Sequence, residues 1–120
     1  MDIVKDFMST PVLSVDVNAT VEDAAKEMLD KGVSCLLVNE NNEPVGLITT
    51  SDLVKKVMAM GQDPKTTKTQ SIMSKPIVSL NHYLTRSDAN VLMQRNKIKH
   101  LAVTDQKNVI GILTPKDMIN

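Results

Sequence analysis

Four Thr-x-x-Asp tetrads are the residues of this chain best suited to chemistry: Thr20/Asp23, Thr49/Asp52, Thr85/Asp88 and Thr114/Asp117. Each can cap a helix, the Thr oxygen accepting a backbone N–H and the Asp favouring the positive helix N-terminus. Capping accounts fully for Thr20 and Thr85. Thr49 and Thr114 stand three residues after a glycine at the end of an apolar run, in Gly46-Leu47-Ile48-Thr49 and Gly111-Ile112-Leu113-Thr114. A strand running into a helix N-terminus points free N–H groups at one spot, a setting that suits an anion or a sugar edge. A carboxylate in that first turn can accept hydrogen bonds from vicinal hydroxyls, so Asp52 and Asp117 are candidate diol acceptors. One such heptad is a weak signal, and its recurrence inside matching elements makes it strong.

Other chemistry-bearing residues are sparse. Cys35 is the single cysteine, and His82 and His100 are the two histidines. A Cys–His nucleophile pair is open on residue type alone. Cys35 begins an apolar run, however, where a thiol serves as a small hydrophobe. His100 suits a phosphate contact or a structural role, and His82 falls in a loop, Asn81-His82-Tyr83. Lys99 reads equally as a phosphate ligand or a solvated lysine. One Cys and two His argue against a metal site, and the chain has no P-loop, dinucleotide fingerprint or His-Glu-x-x-His. An enzyme is therefore the weakest functional reading.

The elements that must position the tetrads come as a duplication. At an offset of 65 residues, without a gap, 7–15 aligns with 72–80, 20–24 with 85–89, 33–38 with 98–103 and 45–54 with 110–119. Each copy opens on Met-Ser-x-Pro and an extended stretch (13–15; 77–80). A helix follows. Val21, Ala24, Ala25, Met28 and Leu29 form one apolar stripe, with Ala89, Leu92 and Met93 a weaker version. Two apolar runs then flank a polar tetrad, Glu40-Asn41-Asn42-Glu43 or Asp105-Gln106-Lys107-Asn108, as in a hairpin. A last helix begins near Ser51 or Pro115, barely a turn long in the second copy. Residues 1–60 and 71–120 are thus two repeats, and 61–70, which has no apolar residue, reads as a linker. Two such units can bury their sheets against one another about a pseudo-two-fold axis.

Composition narrows the class. At 120 residues and 42% apolar, with one Phe, one Tyr, no Trp and eight Met, the chain has an aliphatic core and is not disordered or disulfide-built. No apolar run is long enough for a membrane helix, and the first residues lack signal-peptide order, so a cytoplasmic protein is expected. The net charge of zero hides an acidic first half (five Lys, ten Asp/Glu) and a basic second half (nine Lys/Arg, four Asp). A globally basic nucleic-acid binder is not indicated.

With Met-Ser-x-Pro at 8–11 and 73–76, Val-Ser-Cys-Leu-Leu-Val and Ile-Lys-His-Leu-Ala-Val, and the two Gly-h-h-Thr-x-x-Asp endings, the sequence resembles a tandem pair of CBS domains, a Bateman module. The resemblance implies an α/β (α+β) fold of two β-α-β-β-α repeats. It also implies adenosine-containing ligands (AMP, ADP, ATP or S-adenosylmethionine) in two clefts between repeats, no required cofactor, and pairing as a homodimer. One implied cleft combines Thr49, Ser51 and Asp52 with Lys75, Pro76, Ile77, Ile98, Lys99 and His100. There Asp52 would hold the ribose hydroxyls and Thr49 would lie near the phosphate. Ile77 and Ile98 would sandwich adenine, with Lys99 and His100 against phosphate. The other combines Thr114, Lys116 and Asp117 with Thr10, Pro11, Val12, Val33, Ser34 and Cys35. Because the first gathers more cations, it is expected to bind nucleotides more tightly. The leading expectation is a stand-alone regulatory module that acts in trans on an unidentified protein partner. A nucleic-acid-binding adaptor is the alternative, disfavoured by the lack of stacking aromatics.

Overall fold

Residues 2–119 are described by a computed structural model. Strand β1 (Ser14–Asp16), helix α1 (Val21–Lys31), strands β2 (Cys35–Glu40) and β3 (Glu43–Thr49) and helix α2 (Thr50–Asp52) follow in order. Helix α2 runs on as a π-helical segment, Leu53–Met58. After a short helix α3 (Thr69–Ile72) come β4 (Ser79–Asn81), α4 (Arg86–Asn96), β5 (Leu101–Asp105), β6 (Asn108–Leu113) and a 3-10 turn, Pro115–Met118. Another 3-10 turn, Val4–Asp6, precedes β1. The mixed α/β class and the β-α-β-β-α order of each repeat are as expected, the second repeat ending in one turn.

Each repeat forms a three-stranded sheet, β1-β2-β3 or β4-β5-β6, whose first pair is parallel and second antiparallel. Even the irregularities repeat. The ladder slips between Val38 and Asn39 and again between Val103 and Thr104, 65 residues on. The hairpin turns place Asn41 and Asn42 at φ 52 and 66, and Gln106 and Lys107 at φ 50 and 76. Positive φ at both central residues matches the right-handed twist of the strands, and Asn tolerates it best. Helix α1 buries Val21, Ala24 and Met28 and ends on Gly32 at φ 65. Its counterpart α4 buries Arg86, Ala89 and Met93 and ends on Lys97, which holds the same left-handed conformation without being a glycine.

The chain divides into two compact units that do not coincide with the repeats. One, Leu13–Ile77, contains Asp52. The other contains Asp117 and joins the described residues up to Val12 to those from Val78 onward. Each repeat core is therefore completed by the segment that precedes the other repeat.

In the Asp52 unit the core is Val17, Val21, Ala24, Met28, Leu36, Val38, Ile48, Val57 and Ile72. The stretch read as a linker is bound at the N-terminal end of α1. The first four N–H groups of α1 have no partner within the helix. Val21 donates to the Thr67 carbonyl (2.9 Å), Glu22 to that of Pro64 (3.1 Å) and Ala24 to that of Thr20 (3.1 Å), while Asp23 donates to Thr20 Oγ1 (3.1 Å). Thr69 is fully buried and donates from Oγ1 to the Asp16 carbonyl at 2.8 Å. A polar segment can dock in this way because it supplies backbone acceptors that the helix end requires.

In the Asp117 unit the early segment does the same work. The Arg86 N–H donates to the Asp2 carbonyl (2.9 Å) and the Val4 N–H to that of Leu84 (2.8 Å). Val4 is fully buried among Leu80, Ala89, Met93, Leu101, Val103 and Leu113, with Phe7 and Met8 packed against them. The backbone bridges Ile3–Thr85 and Lys68–Thr20 are equivalents 65 residues apart.

Candidate functional site

The two motifs that recur, Met-Ser-x-Pro and Gly-h-h-Thr-x-x-Asp, meet inside each unit. The Leu47 and Ser74 backbones exchange hydrogen bonds of 3.0 and 2.7 Å, and those of Ile112 and Ser9 exchange bonds of 3.1 and 2.8 Å. The methionine before each serine lies over the glycine of the strand. A Cβ on Gly46 would come within 2.7 Å of Met73 Sδ and 3.0 Å of the Ser74 carbonyl, and one on Gly111 would overlap Met8 from Sδ back to Cβ. The glycines are there for the close approach of a methionine. Neither a strand bend nor a ligand is needed to explain them.

This docking brings Ser74 to Asp52. Asp52 is 6% exposed and closes a reciprocal capping box: its N–H donates to Thr49 Oγ1 (3.2 Å), and its Oδ2 accepts from the Thr49 N–H (3.0 Å) and hydroxyl (3.1 Å). Ser74 Oγ donates to Asp52 Oδ1 at 2.9 Å, and Lys56 Nζ, one helical turn on, reaches the same oxygen at 2.9 Å. Lys56 also donates to the Ile72 carbonyl (3.0 Å). Asp117 makes the same two bonds to its own threonine, Oδ2 accepting from the Thr114 N–H (2.8 Å) and hydroxyl (3.2 Å). It is half-buried, and its Oδ1 accepts from none of the described residues. The turn that carries it is braced by Arg86, which donates to the Asp117 carbonyl (3.2 Å) and to Asp2 Oδ2 (2.8 Å). The Arg86 guanidinium lies 3.8 Å over the Phe7 ring. Its hydrogen bond, and then its charge, hold the Asp2 carboxyl below the usual carboxylate range.

The remaining candidates sort by unit. With Asp52 lie Thr49 (buried), Ser51, Lys75 and Pro76 (exposed) and Ile77 (half-buried). So do Val33, Ser34 and Cys35, which the resemblance had assigned to the Asp117 cleft: the Thr50 N–H donates to the Ser34 carbonyl (3.1 Å), and Cys35 pairs with Thr49 across the ladder. With Asp117 lie Thr114, Lys116, Thr10, Pro11 and Val12, together with Ile98, Lys99 and His100 in the turn between α4 and β5, three residues that the resemblance had assigned to the Asp52 cleft. Cys35 is 8% exposed, and burial, then the nearby Asp52 charge, push its thiol up to about 12. At neutral pH it is a thiol in an apolar strand, which favours the packing role over the nucleophile. Among the described residues no cluster of His, Cys, Asp and Glu could hold a metal ion.

Three participants escaped the sequence reading: Ser74, Lys56 and Arg86. Ser74 is part of a motif whose serine had no role until the segment docked. Lys56 had a signal, the i, i+4 spacing from Asp52 on one helix. Arg86 had another, since it puts a charge where the first repeat has Val21 in its apolar stripe.

The model of the CBS domain matches residues 4–59 and again residues 70–120. The chain belongs to the CBS domain family. Among its relatives, the CBS domain-containing protein YhcV of Bacillus subtilis is 34% identical over 98% of this chain and 84% of its own length. Two other curated relatives, both uncharacterized archaeal proteins, are longer, and this CBS pair spans 56% and 62% of them. Among solved structures, the hexameric CBS-CP12 protein from bloom-forming cyanobacteria matches with a TM-score of 0.91 at 32% identity, covering 98% of this chain and 69% of that one. A protein with CBS domains from Burkholderia ambifaria matches with a TM-score of 0.89 at 26% identity, covering 97% and 90%.

Proposed function

We propose that this CBS pair is a regulatory, ligand-sensing module that binds an adenosine nucleotide (AMP, ADP or ATP) and acts on a partner protein in trans. One observation carries the reading. Both Gly-h-h-Thr-x-x-Asp endings hold a carboxylate at a strand-to-helix junction through the same capping geometry, and Asp117 keeps an oxygen turned to no protein donor among the described residues. A carboxylate so fixed is a preorganised acceptor for a ribose diol. The groups each unit can add are apolar for a base and cationic for phosphate: Ile77 and Lys75 in one, Val12, Ile98, Lys99, His100 and Lys116 in the other. Binding becomes a signal only if the ligand favours one conformation or assembly over another. The exposed Val54, Met58 and Met60, on and just after the π-helical segment, offer a face for a homodimer.

The test is thermal denaturation with AMP, ADP, ATP, S-adenosylmethionine and RNA. An adenosine nucleotide at ~100 times its Kd adds about 2.7 kcal/mol of stability. No shift with any adenosine compound at millimolar concentration overturns the reading. RNA binding that falls steeply with salt would replace it with the nucleic-acid adaptor.

A further inference from the structure

The Asp52 carboxylate is already full. A carboxylate offers about four lone-pair sites, and four donors occupy this one: the Thr49 N–H and hydroxyl, the Ser74 hydroxyl and the Lys56 ammonium. Among the described residues, Asp117 accepts only the first two of these, from Thr114. Ser9, equivalent to Ser74, is exposed and makes no bond to Asp117. A diol that approaches Asp117 finds an open oxygen, whereas one that approaches Asp52 must first displace a hydroxyl and an ammonium.

We propose that Lys56 is a specificity-determining residue of the Asp52 site: an internal ligand, seconded by Ser74, that competes with ribose and makes Asp52 the weaker of the two acceptors. This rests on the adenosine-binding reading. It reverses the ranking that the cation count suggests, because a lysine seated on the acceptor oxygen counts against a diol there. Lys56 has room to swing out, at the cost of its bond to the Ile72 carbonyl. Its side chain is 44% exposed and borders an open hollow of about 450 Å³ shared with Lys55, Met60 and Gln62. At the carboxylate the diol supplies two O–H donors for the N–H and O–H that withdraw, and the lost ion pair and Ile72 bond are the cost that weakens binding there. The Thr49 bonds, which fix the carboxylate, stay in place.

The experiment is calorimetric titration with adenosine, which has no phosphate for Lys56 to attract. The Asp117→Asn chain isolates the Asp52 site. Adding Lys56→Met is expected to raise adenosine affinity there about tenfold, the low end for a charge-assisted hydrogen bond at a half-exposed lysine. Ser74→Ala gives a smaller rise, and Lys56→Arg, which keeps the charge, restores weak binding. Lys56→Met in the Asp52→Asn chain, where the Asp117 site is the one read, leaves affinity unchanged. Melting curves confirm that each chain is folded, and Ser74→Ala serves if Lys56→Met is not. The proposal is overturned if the Asp117→Asn chain binds adenosine and neither Lys56→Met nor Ser74→Ala strengthens it. If no chain binds any adenosine compound, the functional reading falls, and this inference with it.

Discussion

The endings at Asp52 and Asp117 start from one heptad and one cap, and part company through residues outside both. In each, a threonine ends a strand and an aspartate three residues on returns its carboxylate to that threonine. Beyond Asp52 the helix continues through the π-helical segment to Met58, buries Val57 and delivers Lys56 back to the carboxylate. Asp117 itself lies in a 3-10 turn, Pro115–Met118, and that turn is held from outside by Arg86. A motif thus specifies where a carboxylate sits, while its neighbours decide whether that carboxylate is saturated or open. The same aspartate is saturated by its own chain in one unit and, among the described residues, keeps an open oxygen in the other.

The two units should differ most at their glycines. Gly111→Ala drives its methyl into Met8 as far as Cβ, which cannot swing away, and is expected to cost about 3 kcal/mol by urea denaturation. Gly46→Ala meets mainly the flexible end of Met73 and should cost about 1–2 kcal/mol. Equal losses would mean that the two methionines dock alike. Next is Arg86→Met, which keeps bulk over Phe7 but removes the donor to the Asp117 carbonyl. A loss of about 2 kcal/mol is expected, with weaker adenosine binding at Asp117 and none of that weakening at Asp52. The smallest effect separates the helix ends. Lys97→Gly should stabilise the chain by about 0.5–1 kcal/mol, since Gly32 already meets the same left-handed requirement without strain.

Much of the fold was legible because its signals are local and doubled. The stripe of α1, the polar tetrads of the two hairpins and all four caps are set by residues within a turn or two of each other. Duplication made even the weakly patterned α4 readable, its first turn supplying buried Arg86 where α1 has Val21. What could not be read is the exchange of segments. Residues 61–70 have no apolar pattern, and Thr69 is buried because the Asp16 carbonyl takes its hydroxyl, a contact 53 residues apart in the chain. The site was legible to the same depth. Thr49, Asp52, Thr114 and Asp117 announced themselves by spacing, whereas the occupancy of Asp52 by Ser74 depends on that exchange. The cations that favoured Asp52 in sequence, Lys75, Lys99 and His100, were counted by sign, and that count left out Lys56, the lysine that sits on the acceptor itself.

AMP titration of three chains, unaltered, Asp52→Asn and Asp117→Asn, decides which carboxylate holds the ligand. If the open Asp117 is the stronger acceptor, Asp117→Asn removes the tighter binding event, weakening AMP at least tenfold, while Asp52→Asn leaves that event nearly intact. Loss of AMP binding on Asp52→Asn alone, or unchanged binding in both variants, would contradict that ranking.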